Sequence, residues 1–238
     1  MAYKRGPSHA PDTGVMGLFS DFFLARRLRK GPTLLLPYVP DPAAVLEAVR
    51  LHAPDARPYG DGLRVGGNVR LRGPIALPPG LAARAGIPAG WQTAYVAGNI
   101  DDEEGGEYDR PMALAAGLAE RLNGTVHPRG PEPPADLAEV TGGRPVPVAE
   151  LVAALAGELP GLTARAVAGG ITVLSCGASP VEIVVEEDED ETGYSVCVDD
   201  GVRGPGLAET ARRVALTIAA RGGGTARDHN GFLIHETG

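Results

Sequence analysis

Apolar positions along this chain recur at two spacings, and the switches between them mark out helices and strands. From Val15 to Lys30, the residues Leu18, Phe19, Phe22, Phe23, Leu24 and Leu28 cover a broad helical face. Arg26, Arg27, Arg29 and Lys30 crowd its last turns, where cations complement the helix dipole, and Gly31-Pro32 ends it. Thr33 to Val39 is an apolar run that predicts a buried strand. Asp41 suits an N-cap and Pro42 a first helical position. The helix they open carries Ala44, Val45, Ala48, Val49 and Leu51 as its buried stripe. Short strands are predicted at Gly62–Val65, Asn68–Leu77 and Trp91–Ile100, with a loop or one short helix between Pro78 and Gly90. Asp101 to Asp109 (DDEEGGEYD) reads as an acidic turn, and Pro111 to Leu122 as an amphipathic helix.

The pattern then begins again. His127 to Gly143 is rich in Pro and Gly and reads as a linker, with a short helix at Ala135–Val140. A helix is predicted from Val148 to Leu159, and strands at Thr163–Val167, Ile171–Ser175, Val181–Glu186 and Tyr194–Asp199. The run Glu187–Glu191 (EDEDE) reads as a solvated tip between strands. A last helix spans Leu207 to Arg221, ended by Gly222-Gly223-Gly224, and Phe232-Leu233-Ile234 reads as a terminal strand. Asp41–Gly124 and Pro147–Gly224 thus repeat one order of elements at offsets of about 95 to 106 residues, the mark of a duplicated unit. The expected fold is α+β, two related units with antiparallel sheets covered by helices. The expected division is a flexible tail plus basic helix (1–32), a first unit (33–128), a linker (129–146) and a second unit (147–238).

Charge sharpens this picture. The net charge is −8, but residues 1–32 carry +4 and the remainder −12. An acidic body repels phosphate backbones, so nucleic acid is not an expected partner. The Ala/Gly/Pro/Arg flavour suits a high-GC bacterial genome and makes the Gly and Pro totals weak evidence of disorder. Cys176 and Cys197 lie in strand-like runs without a CxxC, which suggests reduced, buried thiols in a cytoplasmic protein. No apolar run reaches the length of a membrane span, and no signal peptide is evident.

Chemistry-bearing motifs are sparse. Tyr59–Gly67 (YGDGLRVGG) and the triple glycine lack the Lys-Ser/Thr and the strand-to-helix context that cradle phosphate. The histidines His9, His52, His127, His229 and His235 form no HxxxH or HExxH; Asp228-His229 with His235-Glu236 is the nearest approach to a metal cluster. Ser175-Cys176-Gly177 is not a nucleophile elbow, and a Cys176 pair with His229 or His235 would have to be made by folding. Asp101, Asp102, Asp199 and Asp200 sit at matching places in the two repeats and are the metal or proton-sharing candidates. No cofactor is expected. These features favour a non-enzymatic protein-binding adaptor, immunity-like or chaperone-like, whose contact residues are Phe19, Phe22, Phe23 and Arg26 on the helix and Glu187, Asp188 and Glu189 at the acidic tip. The acidic residues would suit a basic partner, and the Phe-rich helix would suit docking or self-assembly into a homo-oligomer. The competing expectation is a hydrolase or transferase with an acidic, metal-dependent site between the units.

Overall fold

A computed structural model describes residues 13–100, 109–129, 136–188, 192–198, 202, 204 and 206–235. It opens with helix α1 (Thr13–Lys30). The first sheet is built from β1 (Thr33–Leu36), β2 (Arg57–Tyr59), β3 (Gly62–Val65), β4 (Val69–Ala76), β5 (Thr93–Asn99) and β6 (Thr125–His127). Helix α2 (Pro42–His52) follows β1, α3 (Pro79–Ala85) follows β4 and α4 (Asp109–Arg121) follows β5. Asp41 caps α2 as its sequence suggests, its carboxylate accepting from the Ala43 N–H at 3.0 Å. Strand order is β2-β3-β4-β5-β1-β6, every pair antiparallel. Alternation then decides which side chain meets which helix. Leu34, Leu36, Leu71, Tyr95 and Ala97 face α2 and α4. Leu35, Ala94 and Val96 point the other way, onto Ala25 and Leu28 of α1 and onto α3.

The second sheet is built from β7 (Asp136–Thr141), β8 (Thr163–Ala166), β9 (Ile171–Cys176), β10 (Ser179–Glu187), β11 (Thr192–Val198) and β12 (Thr225–Asp228). Helices α5 (Val148–Leu155) and α6 (Leu207–Gly222) pack on one of its faces. Its order is β12-β7-β11-β10-β9-β8, again antiparallel. Read from the other edge, this is the order of the first sheet. Each unit runs strand, helix, four strands, helix, strand, and α3 is an extra element of the first. Local details agree as well. The helix ending the meander closes on a left-handed residue in both units, Asn123 (φ 50°) and Gly223 (φ 74°). The next amide, Gly124 or Gly224, donates to Ala119 or Ala219.

One expectation is overturned. Ala135–Val140 does not hold a short helix: β7 begins at Asp136 and pairs with β11 on one side and β12 on the other. Ala138 and Val140 are buried while Asp136 and Glu139 are exposed, the alternation of a half-buried strand. Phe232–Ile234, expected as a terminal strand, is reduced to one bridge position on the edge strand β12. It lies antiparallel to β12 through the Leu233–Arg227 bridge and two backbone bonds, Asp228 N–H to the Phe232 carbonyl and Ile234 N–H to that of Ala226, while Phe232 and the Leu233 amide reach the first unit.

The two central strands carry tyrosines at the same place. Tyr95 is the third residue of β5 and pairs with Leu34; Tyr194 is the third of β11 and pairs with Val140. Six residues after Leu34 stands Pro40, and six after Val140 stands Val146. The Val146 N–H donates to the Tyr194 hydroxyl at 2.8 Å. Proline has no N–H to offer, and the buried Tyr95 hydroxyl has no hydrogen-bond partner. Tyr194→Phe is therefore expected to cost ~1–3 kcal/mol, because it orphans a buried amide. Tyr95→Phe should leave stability unchanged or raise it, since it removes an orphan. Denaturant melts of both variants check the contrast.

The seam between the units is made by the chain that leaves β12. Phe232 is fully buried in the first core, under the Arg121 guanidinium (4.1 Å to the ring) and beside His52 (5.0 Å between centroids). A Cβ at Gly117 of α4 would collide with the Phe232 ring, so only glycine lets the two approach. Asp228 organises the turn: Oδ1 accepts from the Asn230 and Phe232 amides, and Oδ2 pairs with Arg121 at 2.6 Å. The Leu233 amide donates to Leu51 at 2.7 Å, and Arg227 donates to the carbonyls of His52 and Gly231.

Two histidines in this seam are displaced in opposite directions. Burial holds His52 below the ordinary histidine range, against its bond to the Asn230 carbonyl. The bond to Glu120 lifts His229 above it. His52 thus contributes stability that is present above about pH 6.5 and lost as pH falls through its lowered value. His229 contributes stability that is present below about pH 6.5 and lost as pH rises through its raised value. Relative to the unaltered chain, His229→Gln should become more acid-sensitive between about pH 7.5 and 5.5 and His52→Gln less so. Melting temperature against pH reads both slopes; parallel slopes in all three proteins would refute the assignment.

Candidate functional site

A groove of about 730 Å³ lies between α1 and the first sheet, on the face away from α2 and α4. Its construction follows from register. Arg57 pairs with Arg64, Arg64 with Arg70, and Arg70 with Gly98, so three arginines from three strands form one row on one face. Arg72 extends the basic surface one pleat further, opposite Val96. Gly98 leaves the row's end open: a Cβ there would meet nothing within 4 Å. The groove is lined by Arg70, Arg72, Val96 and Gly98 below and by Phe23, Arg26, Arg27 and Lys30 of α1 at its side.

Five cations therefore converge in a chain whose net charge is −8. Arg70 is three-quarters or more buried, pairs with Asp61 and lies 5.2 Å from the Tyr59 ring centre, yet its Nε has no partner. Among the described residues, Arg26, Arg27, Lys30 and Arg72 have no ion-pair partner. Arg29 is turned aside and donates to the Arg84 carbonyl. Phe23 at the rim and its neighbour Phe22 are 63% and 61% exposed, packed edge to face on one another. The helix that bears them is nevertheless anchored, because Ala25 and Leu28 on its other side are buried. Alpha1 is thus both brace and rim: its two apolar sides face different surroundings.

The opposite charge gathers on the second sheet. Its outer face carries no helix among the described residues. Glu139 lies opposite Ser195, which lies opposite Val184, and Asp136 opposite Cys197, which lies opposite Glu182. Glu186 continues the same face of β10. Arg165 and Arg227 are its cations, and Arg227 is tied to backbone carbonyls. Burial first, then the charges of Asp136 and Glu182, push the Cys197 thiol up.

The contact residues expected from sequence divide between these places. Phe23 and Arg26 line the groove, and Phe22 is outside its lining, packed on Phe23; Phe19 is on α1 with its side chain outside the described residues. Glu187 and Asp188 are exposed at the end of β10, and Glu189 lies outside the described residues. The acids Asp101, Asp102, Asp199 and Asp200 also lie outside them. Among the described residues no three His, Cys, Asp or Glu side chains gather as a metal-ligand set. Cys176 and Cys197 are unpaired and half-buried rather than fully buried, and His229 is engaged by Glu120 and Asn230. No helix among the described residues is long and apolar enough to cross a membrane. No protein-family model and no curated protein matches this sequence. Residues such as Arg57, Arg64, Arg70 and Arg72 escape a reading of the sequence because only the strand register makes them neighbours.

Proposed function

We propose that this is a non-enzymatic binding protein of the cytoplasm, and that its recognition surface is the groove beside α1. The observation that carries the reading is the exposed pair Phe22 and Phe23 beside a groove with five cations. Exposed aromatic rings beside arginines are the usual composition of binding hot spots. The partner this surface fits is an acidic protein segment bearing apolar side chains. Cations would steer its approach, and the rings and Val96 would hold it. The shared strand order of the two sheets supports reading the units as a duplication in which the first acquired α1 and α3 and the second kept an open sheet face.

Phe22→Ala with Phe23→Ala should leave the melting temperature within about the small range of surface substitutions, under ~0.5 kcal/mol each. The same pair should abolish retention of partners captured from native lysate by the tagged chain. Arg70→Ala should weaken retention and flatten its dependence on salt. Recovery of the same proteins by the wild-type and double-alanine chains would dispose of the groove as the interface.

A second reading is favoured by the acidic outer face of the second sheet, with Asp136, Glu139, Glu182 and Glu186. It is complementary in sign to the groove, so two copies can associate through unlike faces. Molar mass by light scattering, falling to that of one chain as salt is raised, is the expected result for that arrangement. The enzyme reading rests on acids outside the described residues, and among the described residues of the groove there is no paired acid or nucleophile.

A further inference from the structure

The face of the first sheet that α1 covers has a counterpart in the second sheet, and nothing among the described residues covers it. The two tyrosines fix the correspondence. Tyr95 pairs with Leu34 and Tyr194 with Val140, so Thr33 matches Glu139, Val96 matches Ser195 and Gly98 matches Cys197. Arg70 and Arg72 pair with Gly98 and Val96, while Glu182 and Val184 pair with Cys197 and Ser195. Arg70 therefore stands where the second sheet has Glu182, and Arg72 where it has Val184. Thr33 is buried under α1, its hydroxyl donating to the Leu28 carbonyl at 3.1 Å, whereas Glu139 is exposed. The two sheets thus present the same face, one covered by a helix and basic, the other uncovered and acidic.

That uncovered face joins an apolar centre to an acidic border. Val184 pairs with Val173, and Ile171, the next residue of β9 on the same side, pairs with Glu186. The three apolar side chains are only partly buried. Asp136, Glu139, Glu182 and Glu186 surround them, and the face's arginines, Arg165 and Arg227, sit on the outlying strands β8 and β12. The exposed side of α1 has the matching composition. Phe22 and Phe23 are in water, and Arg26, Arg27 and Lys30 follow them without ion-pair partners among the described residues. Ala25 and Leu28 commit α1 to the first sheet of its own chain, so its exposed side is available to another.

We propose that α1 of one copy docks, by its exposed side, on the outer face of the second sheet of another copy. The inference rests on the groove beside α1 as the recognition surface and names its partner. Phe22 and Phe23 meet Val184, Val173 and Ile171, and the acidic border meets Arg26, Arg27 and Lys30 along the groove. Exposed ion pairs are individually weak, so charge selects the face and the rings hold it. α1 becomes a layer shared by two sheets, its own and its neighbour's. Like surfaces repel, because two grooves are both basic and two outer faces both acidic. The contact is consequently heterologous: each copy offers one groove and one face, and copies add head to tail until the ends meet.

The test is molar mass by light scattering on the full chain at low salt, over a range of concentrations. The unaltered chain should rise from the mass of one chain to that of two or more. Arg26→Glu with Arg27→Glu, and Glu139→Lys with Glu186→Lys, reverse exposed charges on opposite sides of the contact. Each variant alone should stay at one chain, with circular dichroism showing the fold retained. Mixed in equal amounts the two should assemble, because every groove then finds a face of opposite sign. Phe22→Ala with Phe23→Ala should also stay at one chain. An unaltered chain that never exceeds one chain, a mixture that fails to assemble, or full assembly of the double-alanine chain would each overturn the inference. Capture from native lysate separates that failure from failure of the groove itself. Retention lost in the double-alanine chain would then leave the groove to a different protein, and unchanged retention would remove both.

Discussion

Replacing Phe232 with Ala is expected to remove about 3–5 kcal/mol of stability, the cost of emptying a fully buried aromatic site. The loss is concentrated by position. The ring fills the first core between Gly117, Arg121 and His52, yet it belongs to the chain that follows β12 of the second sheet. Its removal should therefore weaken the first unit and release the second from it. The Asp228–Arg121 pair and the Leu233–Leu51 bond would lose their anchor together. A wild-type chain melting in one transition and a Phe232→Ala chain melting in two, or in one at much lower temperature, is the expected comparison. Gly117→Ala should reproduce it from the other side of the contact, since its Cβ takes the space of the ring. An unchanged melt for Phe232→Ala would mean that the seam contributes nothing to either unit.

The second large effect is expected at Leu28. It is fully buried beneath α1, against Leu35, Val96 and helix α3. Leu28→Ala should cost about 2–5 kcal/mol. The nearby Phe22→Ala, on the same helix and removing a larger side chain, should cost almost nothing because its ring is already in water. The pair separates the two faces of α1 by their thermodynamics. Leu28→Ala should also weaken partner retention, by loosening the helix that forms one wall of the groove. Urea midpoints for the two variants supply the check. Similar losses from both would mean that the Phe rings are buried in solution.

Much of the architecture was legible in the alternation of apolar positions. The caps at Asp41 and Gly223, the strands from Ile171 to Val198 and the helices α2, α4 and α6 stand within a few residues of where periodicity places them. β7 was missed because Pro and Gly crowd its surroundings and its buried positions are small, Ala138 and Val140. β12 was missed because Thr-Ala-Arg-Asp has almost no apolar content of its own and is held by its neighbour. The groove was half legible. The basic, Phe-rich helix was visible, but arginines at 57, 64 and 70 look scattered until turns bring three strands into register. The leftover hydroxyl of Tyr95 had a signal in plain view, Thr-Ala-Tyr and Thr-Gly-Tyr 99 residues apart. Its meaning depended on the difference between Pro40 and Val146, which a side-chain pattern does not expose.

The placement of Phe232 also bears on the order in which the molecule can be made. A chain leaves the ribosome from its N-terminus, and its units ordinarily close one after the other. Here the first sheet and all four of its helices are out before residue 232 exists. Until then the notch at Gly117 stays open to water, in a core of Leu114, Leu118 and Val49 that lacks its one phenylalanine. The first unit must wait as an unfinished body while the second is synthesised, folds and returns its last segment. A change of translation speed over residues 136–228 is then expected to change the yield of the whole protein, although no residue of that stretch lies in the groove beside α1.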